Sequence, residues 1–116
     1  AIAPTACQTI ADSISVGIPR NRIKAWRRVA ATGGGFVAVP DETIIEAIGL
    51  LAAQAGVFAE PSGAAGLAGL LAARDKGWIK DGDTVATLVT GHGLKDPGAG
   101  LSGVNLPAAV PPLPVS

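Results

Sequence analysis

Gly63, Gly66 and Gly69 recur three residues apart inside a stretch that otherwise reads as a helix, with Leu67, Leu70, Leu71 and Arg74 along it and Gly77 beyond. Each interior glycine costs a helix up to ~1 kcal/mol relative to alanine. A helix that carries three on one side folds only if something approaches that side closely enough to compensate. This pattern therefore demands a tight neighbour before anything else is known of the chain.

Composition sharpens the demand. Of 116 residues 48% are hydrophobic and only 16% charged, with 16 glycines, nine prolines and no methionine. A small free-standing domain carries about 25% charged residues, so the outer surface of this chain is short of charge. An oligomer or a portion of a larger protein would resolve the shortage, and an opening Ala1-Ile2-Ala3-Pro4 without methionine fits a fragment as well as a processed chain. Nine cations balance nine acidic residues, which argues against a nucleic-acid or membrane-surface partner. The apolar content is too high for disorder through most of the length. Cys7 alone cannot form an internal disulfide, and no apolar run reaches the ~18–20 residues of a membrane span. No signal peptide is evident, and the expected location is cytoplasmic.

Local signals divide the chain. Residues 1–18 read as loop or short extended structure. Asn21 suits a helix N-cap, with Ile23, Trp26, Val29 and Ala30 on one face and Arg22, Lys24, Arg27 and Arg28 mostly opposite. Gly33-Gly34-Gly35 ends that helix. Phe36–Val39 reads as a buried strand before Pro40. Asp41 offers a cap and Glu42 first-turn charge to a helix carrying Ile44, Ile45, Ile48, Leu51, Ala52 and Ala55 to a stop at Gly56. Val57–Ala59 is a second short strand, the glycine-bearing helix follows, Asp81-Gly82-Asp83 is a turn, and Thr84–Val89 reads as a strand buried on both faces. The expected fold class is thus α/β, a partial, mostly parallel sheet with flanking helices. Residues 1–96 form the body and residues 97–116 a proline-rich extended tail.

In such sheets ligands bind beyond the carboxyl ends of the strands. Three segments stand there: Val39-Pro40-Asp41, Glu60-Pro61-Ser62-Gly63, and Thr90-Gly91-His92-Gly93-Leu94-Lys95-Asp96. Glycines around a hydroxyl let backbone come close to a planar ligand, and a threonine can donate to or accept from a ring nitrogen. On spacing alone a turn whose threonine bonds its own backbone is the commoner reading, as an ordinary N-cap is for Ser62. The cations from Arg20 to Arg28 read as a solvated helix face. No metal site and no Ser/His/Asp arrangement has supporting spacing.

Together these segments resemble a known family. Thr9-Ile10-Ala11-Asp12-Ser13-Ile14, Gly17-Ile18-Pro19-Arg20, Phe58-Ala59-Glu60-Pro61-Ser62-Gly63-Ala64-Ala65 and Val89-Thr90-Gly91-His92-Gly93-Leu94-Lys95-Asp96 occur in this order in threonine synthases, pyridoxal-phosphate enzymes of the tryptophan-synthase-β-like fold (fold type II). The resemblance covers roughly residues 5–97, and its last motif is the most specific. It implies that the chain is the carboxyl-terminal part of a longer enzyme with pyridoxal 5'-phosphate as cofactor. Thr90 would contact the pyridine nitrogen, Gly91 would let backbone approach, and Glu60 would lie near the ring. Ala11, Asp12 and Ser13 would line the substrate side. The implied parent reaction is O-phospho-L-homoserine plus water to L-threonine plus phosphate, a lyase step in threonine biosynthesis. The family's Schiff-base lysine, ring-hydroxyl asparagine and phosphate loop have no counterpart here, since Lys95 matches the lysine of the terminal motif. The chain alone is therefore expected to be inactive, its partners being the amino-terminal remainder, a phosphohomoserine-type substrate in the parent, and further copies in a homo-oligomer. A serine/threonine dehydratase parent and a non-catalytic α/β interaction module are the alternatives.

Overall fold

The computed structural model describes residues 3, 4 and 6–102. Four helices carry it: α1 (Arg22–Ala31), α2 (Asp41–Ala55), α3 (Pro61–Asp75) and α4 (Pro97–Ser102), with single 3-10 turns at Asp12–Ile14 and Gly93–Lys95.

Local chemistry explains the helices. Asp41 and Glu42 stand in the first turn of α2, where the dipole favours negative charge. Gly56 closes it at φ 64°, ψ 23°; from that left-handed turn the Val57 N–H reaches back to the Leu51 carbonyl at 3.2 Å, an arrangement glycine adopts without the Cβ penalty. Pro61 opens α3 at a position where its missing N–H is not needed. Glu60, not Ser62, holds the N-cap position, and Ser62 lies buried inside the first turn.

The core lies between α2 and α3. Ile44, Ile48 and Leu51 from α2 meet Ala64 and Ala68 from α3, with Ala11, Ala47 and Ala59 completing the buried apolar set. The small side chains of α3 bring its axis close to its neighbours. The demand posed by its glycines is met twice: a Cβ on Gly63 would stand 2.8 Å from the Gly91 carbonyl oxygen, and one on Gly66 would stand 2.8 Å from the Thr87 hydroxyl. Gly69 faces nothing within 4 Å.

The expected mostly parallel sheet does not form. Among the described residues the one strand pairing is an isolated antiparallel bridge between Ala59 and His92; Phe36–Val39 and Thr84–Val89 run without a ladder. A strand needs a second strand for its N–H and C=O groups, and these two segments find none. Their side chains are correspondingly uncovered, Leu88 being 82% and Phe36 64% exposed. Helix α1 likewise leaves Ile23 and Trp26 exposed and has no buried residue. At the other end of α3, the Trp78 ring lies where a Cβ on Gly35 would stand, 2.7 Å from Cη2.

The tail also departs from expectation at its start. Residues 97–102 are helical because the Asp96 carboxylate accepts the Ala99 N–H at 3.1 Å and caps α4, with Pro97 preset in its first turn. Residues 103–116, where the extended reading also fell, lie outside the described residues. No helix among the described residues is long and apolar enough to cross a membrane.

Candidate functional site

The site is assembled where the starts of α2 and α3 meet two loop segments. The chain before α3 runs antiparallel to residues 91–93: the Glu60 N–H donates to the Gly91 carbonyl at 3.0 Å and the Gly93 N–H to the Phe58 carbonyl at 2.8 Å. A Cβ on Gly91 would fall on the Glu60 carboxylate, so any other residue there must displace that side chain. Gly93 and Gly100 are pressed by the Phe58 ring in the same way, at 2.6 and 2.9 Å from their would-be Cβ atoms. Phe58 also meets His92 edge-on, with ring centroids 5.7 Å apart. The His92 Nδ1 accepts the Leu94 N–H at 3.1 Å, which turns the chain so that Lys95 comes back over Glu60.

Glu60 is the centre of the arrangement. It is 4% exposed, and its Oε1 accepts from the Lys95 ammonium at 3.4 Å while the Ser13 hydroxyl lies 3.5 Å from Oε2. Lys95 Nζ also donates to Ser13 Oγ at 3.3 Å. Three segments separated by tens of residues thus converge on one buried carboxylate.

The Ala11–Ser13 segment is anchored at its other end by Asp41. The Thr9 hydroxyl donates to Asp41 Oδ1 at 2.5 Å and the Ile10 N–H to Oδ2 at 3.0 Å. Asp41 therefore fastens the preceding loop to the start of α2 instead of capping its own helix.

The expected site residues fall into two groups. Glu60, Gly91 and Ser13 come together. Thr90 is exposed, makes no hydrogen bond among the described residues, and lines a shallow cavity of about 230 Å³ with Gly91, His92 and Phe58. Ala11 is buried at 1% and faces a separate cleft of about 480 Å³ with Ile44 and Ala65, while Asp12 is exposed, its carboxylate accepting from the Ser13 hydroxyl and its carbonyl from the Ser15 N–H. Sequence reasoning missed the roles of Asp41 and Lys95. A carboxylate at a helix start signals a cap, and nothing local tells that its partner is a loop some 30 residues earlier.

A family profile described as "Pyridoxal-phosphate dependent enzyme" matches residues 1–91, and the chain belongs to that family. Among curated proteins it is 43% identical over 109 residues to the threonine synthase of Mycobacterium tuberculosis, 94% of this chain and 30% of that protein. It is 46% identical over 90 residues to that of Synechocystis sp., covering 78% and 23% of the two chains. The threonine synthase of Methanocaldococcus jannaschii is 43% identical over 94 residues, 81% of this chain and 23% of that one. The chain spans about 30% or less of the length of these relatives.

The family cofactor is a planar pyridine carrying a phosphate. The residues here fit one edge of its ring: an exposed hydroxyl at Thr90, backbone without room for a Cβ at Gly91, and a carboxylate directly behind it at Glu60.

Proposed function

We propose that this chain is the carboxyl-terminal part of a threonine synthase and supplies one wall of its pyridoxal-phosphate site. The observation that carries the reading is the convergence at Glu60 of the 11–13, 60–63 and 90–95 segments, the same segments that mark the resemblance. When bound, the cofactor supplies an electron sink that makes protons on the substrate's carbons labile. Thr90 holds the ring nitrogen through a hydroxyl able to donate or accept; being neutral, it leaves that nitrogen less protonated than a carboxylate would. Gly91 keeps side-chain bulk away from the ring edge, and Glu60 presents its charge behind that glycine. Ala11, Asp12 and Ser13 line the substrate side, Ser13 with a hydroxyl for a polar substrate group. The reaction breaks the carbon–oxygen bond to phosphate in O-phospho-L-homoserine and adds water, giving L-threonine and phosphate. The reactive lysine comes from the amino-terminal remainder, which is the chain's principal partner; the working enzyme is a cytoplasmic homo-oligomer.

The full-length protein containing this segment, loaded with pyridoxal phosphate, is expected to release phosphate and form L-threonine from O-phospho-L-homoserine. Deamination of L-threonine to 2-oxobutyrate without phosphate release would instead assign a dehydratase. Inability to bind pyridoxal phosphate would leave only an interaction module. The chain alone, mixed with pyridoxal phosphate and reduced with borohydride, is expected to show no specific lysine adduct. Stable labelling of Lys95 would overturn the assignment of the reactive lysine to the remainder.

A further inference from the structure

We infer that Lys95 is a positioning residue: its ammonium joins the Glu60 carboxylate to the Ser13 hydroxyl, so that the wall behind Gly91 and the Ala11–Ser13 segment are held as one unit. The functional consequence rests on the reading given under Proposed function; the tie itself does not.

Glu60 is held in place by its backbone. Its backbone N–H is bound to Gly91 and its carbonyl accepts the Ala64 N–H at 3.0 Å, while its side chain lies against the bare Cα of Gly91. A carboxylate buried to this degree is costly without a charged or hydrogen-bonding partner. Lys95 supplies the partner from the solvent side, its side chain 62% exposed against 6% for that of Glu60. Of its three donors, one goes to Glu60 Oε1 and one to Ser13 Oγ; the single Ser13 proton has two acceptors in reach, Asp12 Oδ1 at 3.3 Å and Glu60 Oε2 at 3.5 Å, and closes the ring when it turns to the second. Among the described residues, Ser13 and Lys95 are the side chains that hydrogen-bond to the Glu60 carboxylate. Asp41 and Thr9 hold the backbone as far as Ala11, which is itself buried in the core; beyond it, the side chain of Ser13 is tied to Glu60 through this ring.

Lys95→Met leaves the buried Glu60 carboxylate without its charged partner, so in the full-length protein some fall in melting temperature is expected. What separates a positioning role from a general structural one is a change confined to the 11–15 segment and to the rate. Amide hydrogen exchange over residues 11–15 should accelerate several-fold, because a local tie is lost without global unfolding. With O-phospho-L-homoserine, kcat is expected to fall by roughly 10- to 100-fold, the cost of a site displaced by an ångström or so, and the absorbance of bound pyridoxal phosphate should change little. Lys95→Arg, which keeps charge and donors, should restore most of both. The Lys95→Met/Ser13→Ala double variant should be no worse than the more damaging single one, since both break one ring. Unchanged exchange over 11–15 in Lys95→Met would overturn the tie, and so would failure of arginine to rescue, which would make the lysine itself a ligand or proton donor. If Lys95→Met does not fold, a fully active Ser13→Ala with normal exchange overturns the proposal and a slowed one with faster exchange supports it. Accelerated exchange in a protein that neither binds pyridoxal phosphate nor acts on the substrate would uphold the tie while removing the functional reading.

Discussion

At the scale of single residues the site is defined by what cannot be there. A methyl group on Gly91 would occupy the position of the Glu60 carboxylate, which is buried and would have to leave Lys95 and Ser13 to make room. Gly91→Ala is therefore expected to destabilise the full-length protein by about 1–3 kcal/mol, the usual cost of forcing atoms into a packed site, and to weaken pyridoxal-phosphate binding. Urea midpoints and a cofactor titration measure the two effects. Thr90→Ser should retain cofactor affinity and Thr90→Val should lose about fivefold, because a single hydrogen bond is worth ~1 kcal/mol; equal affinities for the two would remove Thr90 from the ring nitrogen. These residues were readable because the chemistry of a glycine or a hydroxyl is carried in its own identity. The roles of Asp41 and Lys95 were not, since each is created by a partner 31 to 82 positions away. Asp41 even carried a misleading local signal, that of a cap.

Elements divide the same way. Helices α1, α2 and α3 were legible because their start and stop signals lie within a few residues of each end, as the first-turn charge of Asp41 and the left-handed Gly56 do for α2. The strands were misread because β-branched and apolar composition announces a capacity to pair, and pairing depends on a neighbour that composition does not name. Thr84–Val89 instead runs as unpaired backbone, and Thr87, Leu88, Thr90 and Gly91 lie close over the start of α3. The glycines of that helix give an internal comparison. Gly69→Ala is expected to stabilise by up to ~1 kcal/mol, since the site is helical and open. Gly63→Ala should destabilise, because backbone atoms of Gly91 stand 2.8 and 3.0 Å from the new carbon. Opposite shifts of the thermal midpoint would verify the close approach. Two shifts of the same sign would contradict it.

For the whole molecule the shortage of charge noted in the sequence becomes a geometrical fact. Its radius of gyration is 17.4 Å, against roughly 13 Å for a compact chain of this length. Among the described residues, five of the eight buried core residues are alanines, too little bulk to stabilise a domain strongly. The chain by itself is expected to unfold in urea over a broad, shallow transition with a low midpoint, followed by circular dichroism; a steep two-state transition would show that the α2–α3 core suffices. Mixing with the amino-terminal remainder should raise that midpoint, as any partner selective for the folded form does.

The indole set against Gly35 has a consequence of a different kind. Trp78 is 53% and Trp26 59% exposed, and the chain has no other tryptophan and no tyrosine. Both indoles sit among the uncovered apolar side chains, one beside the glycine run and one on the bare face of α1. The chain thus carries two built-in optical reporters on the surfaces that lack a neighbour. Emission moving to shorter wavelength on mixing would register the covering of those surfaces without any added label, and replacing each tryptophan by phenylalanine in turn would tell which one was covered.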